Sequence, residues 1–177
     1  MTRKQAFSPV VDTQTRLLIL GSLPGDASLK AGQYYGHPQN AFWRLIGGVI
    51  GQDLPALPYD DRLAALKAAC VGLWDVVASA ERPGSLDAAI RRPEAADLRG
   101  LVQSLPDLKA VAFNGGTAAK LGRAVLAGAP WPVLIDLPSS SPAHARAFAE
   151  KAAAWAILTQ WVGQRRSPTP VCGKMPR

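Results

Sequence analysis

The strongest constraint on the fold is the alternation of short apolar runs with segments of helical periodicity. Four runs have the length of buried strands and contain at most one charged residue each: 17–20, 71–77, 110–113 and 133–137. They lack the polar alternation of a half-exposed strand, which favours a parallel sheet covered on both faces. Helices are predicted from Asn40 onward, over 62–69, from about 95 to 104, and over 116–126 and 143–162. This order predicts a three-layer α/β/α sandwich with a central, mostly parallel four-stranded sheet.

The length of 177 residues suits one domain with a proper core. We expect residues 1–12 to form a short leader, 13–163 the folded domain, and 164–177 a basic, proline-rich mobile tail. The net charge of +7 is concentrated at the two ends, in Arg3, Lys4 and the acid-free tail, so the domain itself is nearly neutral. Charge alone therefore gives only weak support for nucleic-acid binding.

The two cysteines and the hydropathy exclude several classes of protein. Cys70 and Cys172 lie far apart, with no CxxC pair and no nearby histidine cluster, which predicts no metal site and no iron–sulfur cluster. The N-terminus does not look like a signal peptide, and no apolar stretch is long enough for a membrane span. We expect a protein of the reducing cytoplasm without membrane association.

The segment between the first strand and the first helix is dense in residues with special roles. It contains GSLPGD at 21–26 and YYGHPQNAFW at 34–43. Glycine and proline shape a tight backbone, tyrosines offer stacking surfaces, and histidine and asparagine offer hydrogen-bonding groups. This mixture suits a planar heterocycle, although each residue alone is as well explained by a turn, a helix cap or packing. Ligands of α/β sheets bind beyond the carboxyl ends of strands, which also selects the loops 114–117 and 138–144.

These loops resemble the motifs of the uracil-DNA glycosylase superfamily over roughly residues 15–162. GSLPG at 21–25 occupies the place of the first motif, YGHPQNAFW at 35–43 is similar to the aromatic–HP–Asn–FW run of the mismatch-specific branch, and LPSSSP at 137–142 lies where the second motif is expected. Many members have Asp or Asn at the third position of the first motif to position water, whereas this chain has Leu23. The hypoxanthine-DNA glycosylase branch also lacks that group, so the resemblance favours this branch and implies dependence on Asn40.

The resemblance implies a monofunctional DNA glycosylase for base excision repair. Such an enzyme hydrolyses the N-glycosidic bond of a deaminated base, here most favourably hypoxanthine, after the nucleotide is flipped out of double-stranded DNA. Lys30 is the one lysine in these loops, and the motifs give it no role, so we expect neither a Schiff base nor strand cleavage. No metal and no organic cofactor are expected. We expect the enzyme to act as a monomer at a bacterial-type nucleoid.

The resemblance also assigns roles to individual residues. Asn40 is the predicted catalytic residue, either orienting the water or hydrogen-bonding the departing purine. Tyr35 is expected to stack on the base, and Asp75 either reads the N1–H of hypoxanthine or serves equally well as a helix cap or in a surface ion pair. The predicted base-binding set is Ser22, Leu23, Pro24, Gly25, Tyr35, Phe42, Asp75 and Ser139.

The second motif supplies the predicted DNA contacts, which are Ser140, Ser141, His144 and Arg146. Short polar loops at helix starts commonly contact phosphates. Relatives often have His or Asn where this chain has Ser139, a weaker donor to the base carbonyl. The position of the wedge residue holds Ala143, which is too small, so His144 or Arg146 is expected to enter the base stack, unless His144 is simply an exposed residue.

Three other functions stay open. The chain could be a mismatch-type uracil-DNA glycosylase, or a catalytically silent DNA- or nucleotide-binding module, since Leu23 replaces the usual acid or amide. A hydrolase using Ser139–Ser141 and His144 is disfavoured, because there is no GxSxG elbow and the histidine lies too close in sequence to the serines. The NGGT sequence at 114–117 is better explained by a turn and a cap than by a phosphate site.

Overall fold

The computed structural model describes residues 3–163, and its strands are β1 Arg3–Gln5, β2 Leu17–Gly21, β3 Val71–Asp75, β4 Val77–Glu81, β5 Arg91–Ala95, β6 Ala110–Asn114 and β7 Val133–Leu137. Four of these strands run parallel in one sheet, in the order β3-β2-β6-β7. The α-helices are α1 Asp26–Ala31, α2 Phe42–Ile50, α3 Tyr59–Ala68, α4 Leu98–Ser104, α5 Gly116–Leu126 and α6 Phe148–Trp155. Short 3₁₀ helices cover Leu54–Ala56, Asp87–Ala89 and Ala156–Gln160.

The central strand β2 shows why the protein has three layers. Successive side chains of a strand point to opposite faces, and every residue of β2 is buried. Leu17 and Ile19 pack in one cluster with residues of α2, α3 and α6, while Leu18 and Leu20 pack in a second cluster with residues of α4 and α5. Helices therefore cover both faces of the parallel sheet, which confirms the predicted α/β/α sandwich.

A second, antiparallel sheet in the order β1-β4-β5 was not predicted. The apolar run 71–77 is divided, since β3 ends at Asp75 and the chain continues from Val77 as β4 of this sheet. Strand β1 lies inside the segment that we expected to be a leader, and it pairs with β4. Val10 forms a further bridge to Leu73, so the chain before β2 packs on the domain.

Three helix starts differ from the sequence prediction, and α1 is an additional helix that the sequence did not predict. Helix α3 begins at Tyr59 rather than at residue 62. Helix α4 begins at Leu98 rather than near Ala95, because the Asp97 carboxylate accepts a hydrogen bond from the Gly100 amide at 3.0 Å and caps the helix there. Helix α6 begins at Phe148 rather than Ala143, since Ala147 has an extended backbone. Residues 164–177, the predicted tail, lie outside the described residues. Between residues 3 and 163, no helix is long and apolar enough to cross a membrane.

Parallel pairing brings the carboxyl ends of β2, β3, β6 and β7 to one edge of the sheet. Each of the loops selected from the sequence follows one of these strands. The topology therefore gathers the first motif, the aromatic run and the second motif at this edge.

Candidate active site

A pocket of about 420 Å³ lies at the carboxyl edge of the sheet. It is lined by the first-motif loop, the aromatic run, the second-motif loop and the segment 85–87 between β4 and β5. All the predicted site residues belong to this lining except Phe42 and Arg146. The structure therefore brings residues more than a hundred positions apart in the chain to one cavity of the size that small ligands occupy.

The pocket floor consists of Gly21, Tyr35 and Asp75. A Cβ atom built on Gly21 would lie 2.6 Å from Asp75 Oδ1 and 3.1 Å from Tyr35 Oη, so the close approach of these groups requires glycine. Asp75 is only 4% exposed, and its Oδ2 has no hydrogen-bond partner among the described residues. Burial raises the pKa of Asp75 to about 7, with Arg82 opposing and Asp87 reinforcing the shift. A buried carboxyl group with unused hydrogen-bonding capacity is a typical ligand contact.

Tyr35 forms a flat wall of the pocket. Its ring stacks on Phe42 with centroids 3.7 Å apart and an interplanar angle of 11°. Its φ of +53° lies in the left-handed region, which non-glycine residues adopt mainly where surrounding contacts enforce it. Phe42 is fully buried behind this ring. The predicted direct contact between Phe42 and the base is therefore corrected, since Phe42 supports the ring of Tyr35 instead.

Asn40 lies in the pocket lining at the start of α2. Its Oδ1 accepts a hydrogen bond from the Phe42 amide at 3.0 Å, but the N-cap residue of α2 is Ala41, so Asn40 lies one residue before the predicted cap position. This hydrogen bond uses one lone pair of Oδ1, and Nδ2 is the group that the side chain can offer as a donor to a ligand.

The second-motif loop is held by Asn114, the last residue of β6. Asn114 Nδ2 donates to Ser140 Oγ at 2.8 Å, and the Ser140 amide donates to Asn114 Oδ1 at 2.8 Å. Ser140 is 1% exposed, and its carbonyl accepts from the Ala41 amide at 3.0 Å. The predicted phosphate contact of Ser140 is therefore corrected: this residue joins the second motif to the sheet and to the aromatic run. Asn114 makes the reciprocal clamp, a role that our turn-and-cap interpretation did not include.

Ser139, Ser141 and His144 line the pocket, whereas Arg146 does not. Ser139 Oγ accepts from the Ser141 amide at 3.1 Å, and the Ser141 carbonyl accepts from Lys151 Nζ at 3.0 Å. His144 is exposed at the pocket edge, in the loop before α6. Arg146 lies outside the pocket lining and approaches Glu150 at 3.9 Å. Of the two residues that we expected to replace the missing wedge, the structure therefore brings only His144 to the pocket.

The segment between β4 and β5 carries site residues that the sequence interpretation missed. Arg82 is 2% exposed, donates to the Leu23 carbonyl at 3.2 Å and also donates to the Pro24 carbonyl. Asp87 Oδ1 accepts from Ser22 Oγ at 2.6 Å and lies 3.6 Å from Arg82 Nη1. These contacts fix the first-motif loop from the side. The only sequence signal was the polar cluster ERPGSLD at 81–87, which is also typical of an exposed turn.

The chain is similar to known proteins over most of its length. The family model described as the uracil DNA glycosylase superfamily matches residues 8–161. A hypoxanthine DNA glycosylase of Methanosarcina barkeri is 44% identical over 154 residues, which cover 87% of this chain and 96% of the relative. A protein of the same name from Methanosarcina acetivorans is 41% identical over 152 residues, covering 86% and 95% of the two chains.

A solved structure shows the same fold. The solution NMR structure of a Methanosarcina acetivorans protein assigned to the uracil DNA glycosylases has a TM-score of 0.81 and 39% identity, and the match covers 90% of this chain and 98% of the other. Sequence, fold and the gathering of the motif residues around one pocket lead to the same conclusion. The chain belongs to the uracil DNA glycosylase superfamily.

Proposed function

We propose that this protein is a monofunctional DNA glycosylase that removes hypoxanthine from deoxyinosine in double-stranded DNA. The observation that carries the proposal is the pocket floor, where the unpaired Asp75 carboxyl group lies beside the stacked ring of Tyr35. The two relatives named hypoxanthine DNA glycosylase align with nearly the whole domain and support the same activity.

The flipped base enters the pocket against the ring of Tyr35. Enzymes that act on a base extrude its nucleotide and hold the base by stacking and by hydrogen bonds to its edge. Phe42 stiffens the Tyr35 ring from behind, and Arg82 holds the loop 22–25 whose backbone frames the base. Both supports keep the pocket in shape before DNA binds, which lowers the cost of ordering it on binding.

Asp75 provides the discrimination between hypoxanthine and adenine. The ionised form of Asp75, which predominates above its raised pKa of about 7, accepts a hydrogen bond from N1–H of hypoxanthine, whereas N1 of adenine is itself an acceptor. Adenine would place two acceptors opposite each other when Asp75 is ionised, and an unpaired buried polar group is costly. Uracil offers a similar N–H group at N3, so excision of uracil is the second candidate activity, and the solved relative assigned to the uracil DNA glycosylases supports it.

Asn40 acts on the departing base. Since its Oδ1 accepts from the Phe42 amide, Nδ2 is the available donor, and a donor stabilises the negative charge that the purine gains as the glycosidic bond breaks. Of the two roles predicted for Asn40, we therefore propose the hydrogen bond to the leaving base. Since one chain supplies every residue of this site, we also propose that the protein acts as a monomer. We propose that it acts in the cytoplasm, on the DNA of the nucleoid.

The experiment is an excision assay on labelled duplexes that contain inosine, uracil or xanthine, with an unmodified duplex as the control. Abasic sites are revealed by alkali. We expect the fastest release from the inosine duplex and a loss of about a hundredfold or more in single-turnover rate for Asn40→Ala. If no duplex is cleaved at excess enzyme while DNA is still retarded, the protein is a silent binding module. An active Asn40→Ala enzyme would remove Asn40 from the mechanism.

A further inference from the structure

The first-motif loop lacks the polar group with which many relatives position water. Leu23 stands at that place, is 5% exposed and packs in the core cluster that contains Leu18 and Leu20. The pocket lining nevertheless includes two carboxyl groups, those of Asp75 and Asp87. Asp87 lies on a different segment of the chain, yet it contacts the same first-motif loop through Ser22.

Asp87 is held in a defined orientation at the pocket. It is the first residue of the 3₁₀ helix Asp87–Ala89, and its Oδ1 accepts from Ser22 Oγ at 2.6 Å and lies 3.6 Å from Arg82 Nη1. Within residues 3–163, Oδ2 has no hydrogen-bond partner. A carboxylate fixed through one oxygen, with the other available, has the geometry of a group that holds a water molecule.

The two carboxyl groups differ in depth. Asp75 is 4% exposed beneath Gly21 and Tyr35, whereas the side chain of Asp87 is 39% exposed. A flipped base occupies the deep part of a pocket, while its sugar remains joined to the DNA strand at the mouth. We call Asp87 and Ser22 the mouth of the pocket, where the sugar of a flipped nucleotide would lie, and the base would lie deeper, beside Asp75.

We propose that Asp87 is a catalytic residue that positions the attacking water and stabilises the positive charge on the sugar. This inference rests on the proposed glycosylase function. The C1′–N9 bond breaks with its electron pair going to the purine, which takes up a proton from solvent. The water oxygen forms the new bond to C1′, and the proton that it loses passes to the Asp87 carboxylate and then to solvent. The carboxylate also opposes the oxocarbenium charge, as carboxylates do in other glycoside hydrolyses.

The test is the single-turnover rate of Asp87→Asn on an inosine duplex, with binding measured separately on a duplex carrying a non-hydrolysable 2′-fluoro analogue of deoxyinosine. The amide keeps the shape and can still accept from Ser22, so only the charge and the proton acceptor are lost. We expect a fall in rate of about a hundredfold with binding changed less than about threefold. Asp136→Asn is the matched control, because it removes a carboxylate that pairs with Arg123 outside the pocket lining, and it should keep the wild-type rate.

A rate for Asp87→Asn within threefold of wild type would overturn the inference, as would a loss that lies entirely in binding. Asp87→Glu keeps the charge and should recover part of the rate that Asp87→Asn loses. If Asp87→Asn does not fold, Ser22→Ala answers the same question, since it frees the carboxylate and should slow excision about tenfold. A wild-type protein that releases no base refutes the proposed function itself, whereas active wild type with an unaffected Asp87→Asn refutes only the role of Asp87.

Discussion

The floor and the mouth of the pocket each contain one aspartate, and their surroundings give the two groups opposite properties. At the floor, Asp75 is buried with an unpaired oxygen, and burial raises its pKa to about 7. At the mouth, Asp87 is partly exposed and accepts a hydrogen bond from Ser22 beside Arg82. These different surroundings underlie the two roles that we propose, recognition of a neutral base edge by Asp75 and stabilisation of a positive charge by Asp87.

The largest expected effect is the change with pH in the contribution of Asp75 to the free energy of unfolding. In the unfolded chain Asp75 loses its proton near pH 4, and in the folded protein near pH 7. Between these values the folded protein holds a proton that the unfolded chain has lost, so the contribution of Asp75 to the free energy of unfolding falls as pH rises. Three pKa units correspond to roughly 4 kcal/mol, a loss that is complete above pH 7.

Asp75→Asn removes this titration, so the mutant should gain stability relative to wild type as pH increases from 4 to 8. Urea denaturation of both proteins at several pH values measures the difference. If the free energies of unfolding of the two proteins differed by the same amount at every pH, Asp75 would have an ordinary pKa, and burial would not raise it. The same variant should lose preference for inosine over adenosine, because an amide can also donate to N1 of adenine.

The second prediction concerns the close packing of the floor. Gly21→Ala places a methyl group 2.6 Å from Asp75 Oδ1, which forces the strand end or the carboxyl group to move. We expect a destabilisation of about 1–3 kcal/mol together with slower excision of inosine. The control is Gly48→Ala in α2, where a Cβ meets nothing within 4 Å and alanine favours the helix, so this variant should be at least as stable as wild type. Equal stability of the two variants would contradict the packing that we describe.

The sequence was sufficient to predict the parallel sheet but not the antiparallel sheet. The central strands were predictable because residues buried on both faces of a parallel sheet are nearly all apolar, as in β2 and β6. The antiparallel sheet was missed because β5 reads RRPEA and is exposed throughout, so hydropathy carries no strand signal there. Strand β1 has only three residues, which is too short for any periodicity.

The site residues could likewise be predicted only where the sequence carries a local signal. Tyr35, Asn40 and Ser139 could be predicted as candidates because they lie in contiguous motifs that resemble a known family, and the structure places them in the pocket lining. The contacts of the mouth join residues far apart in sequence, with 65 positions between Ser22 and Asp87 and 59 between Leu23 and Arg82. Such pairs are created by the tertiary fold, and each partner alone looks like an ordinary polar residue of a turn. The same applies to the clamp between Asn114 and Ser140, 26 positions apart.

The smallest expected change in stability is that of a substitution at the mouth of the pocket. Ser22→Ala removes one hydrogen bond to a partly exposed carboxylate, which should lower the free energy of unfolding by only about 1 kcal/mol. Its effect on excision should be larger in proportion, since the hydroxyl group orients Asp87 rather than supporting the core. Urea denaturation and single-turnover excision on the same preparation compare the two quantities. If Ser22→Ala were as unstable as Gly21→Ala but kept the wild-type rate, the hydrogen bond between Ser22 and Asp87 would stabilise the fold only. Ser22 would then not position Asp87 for the reaction.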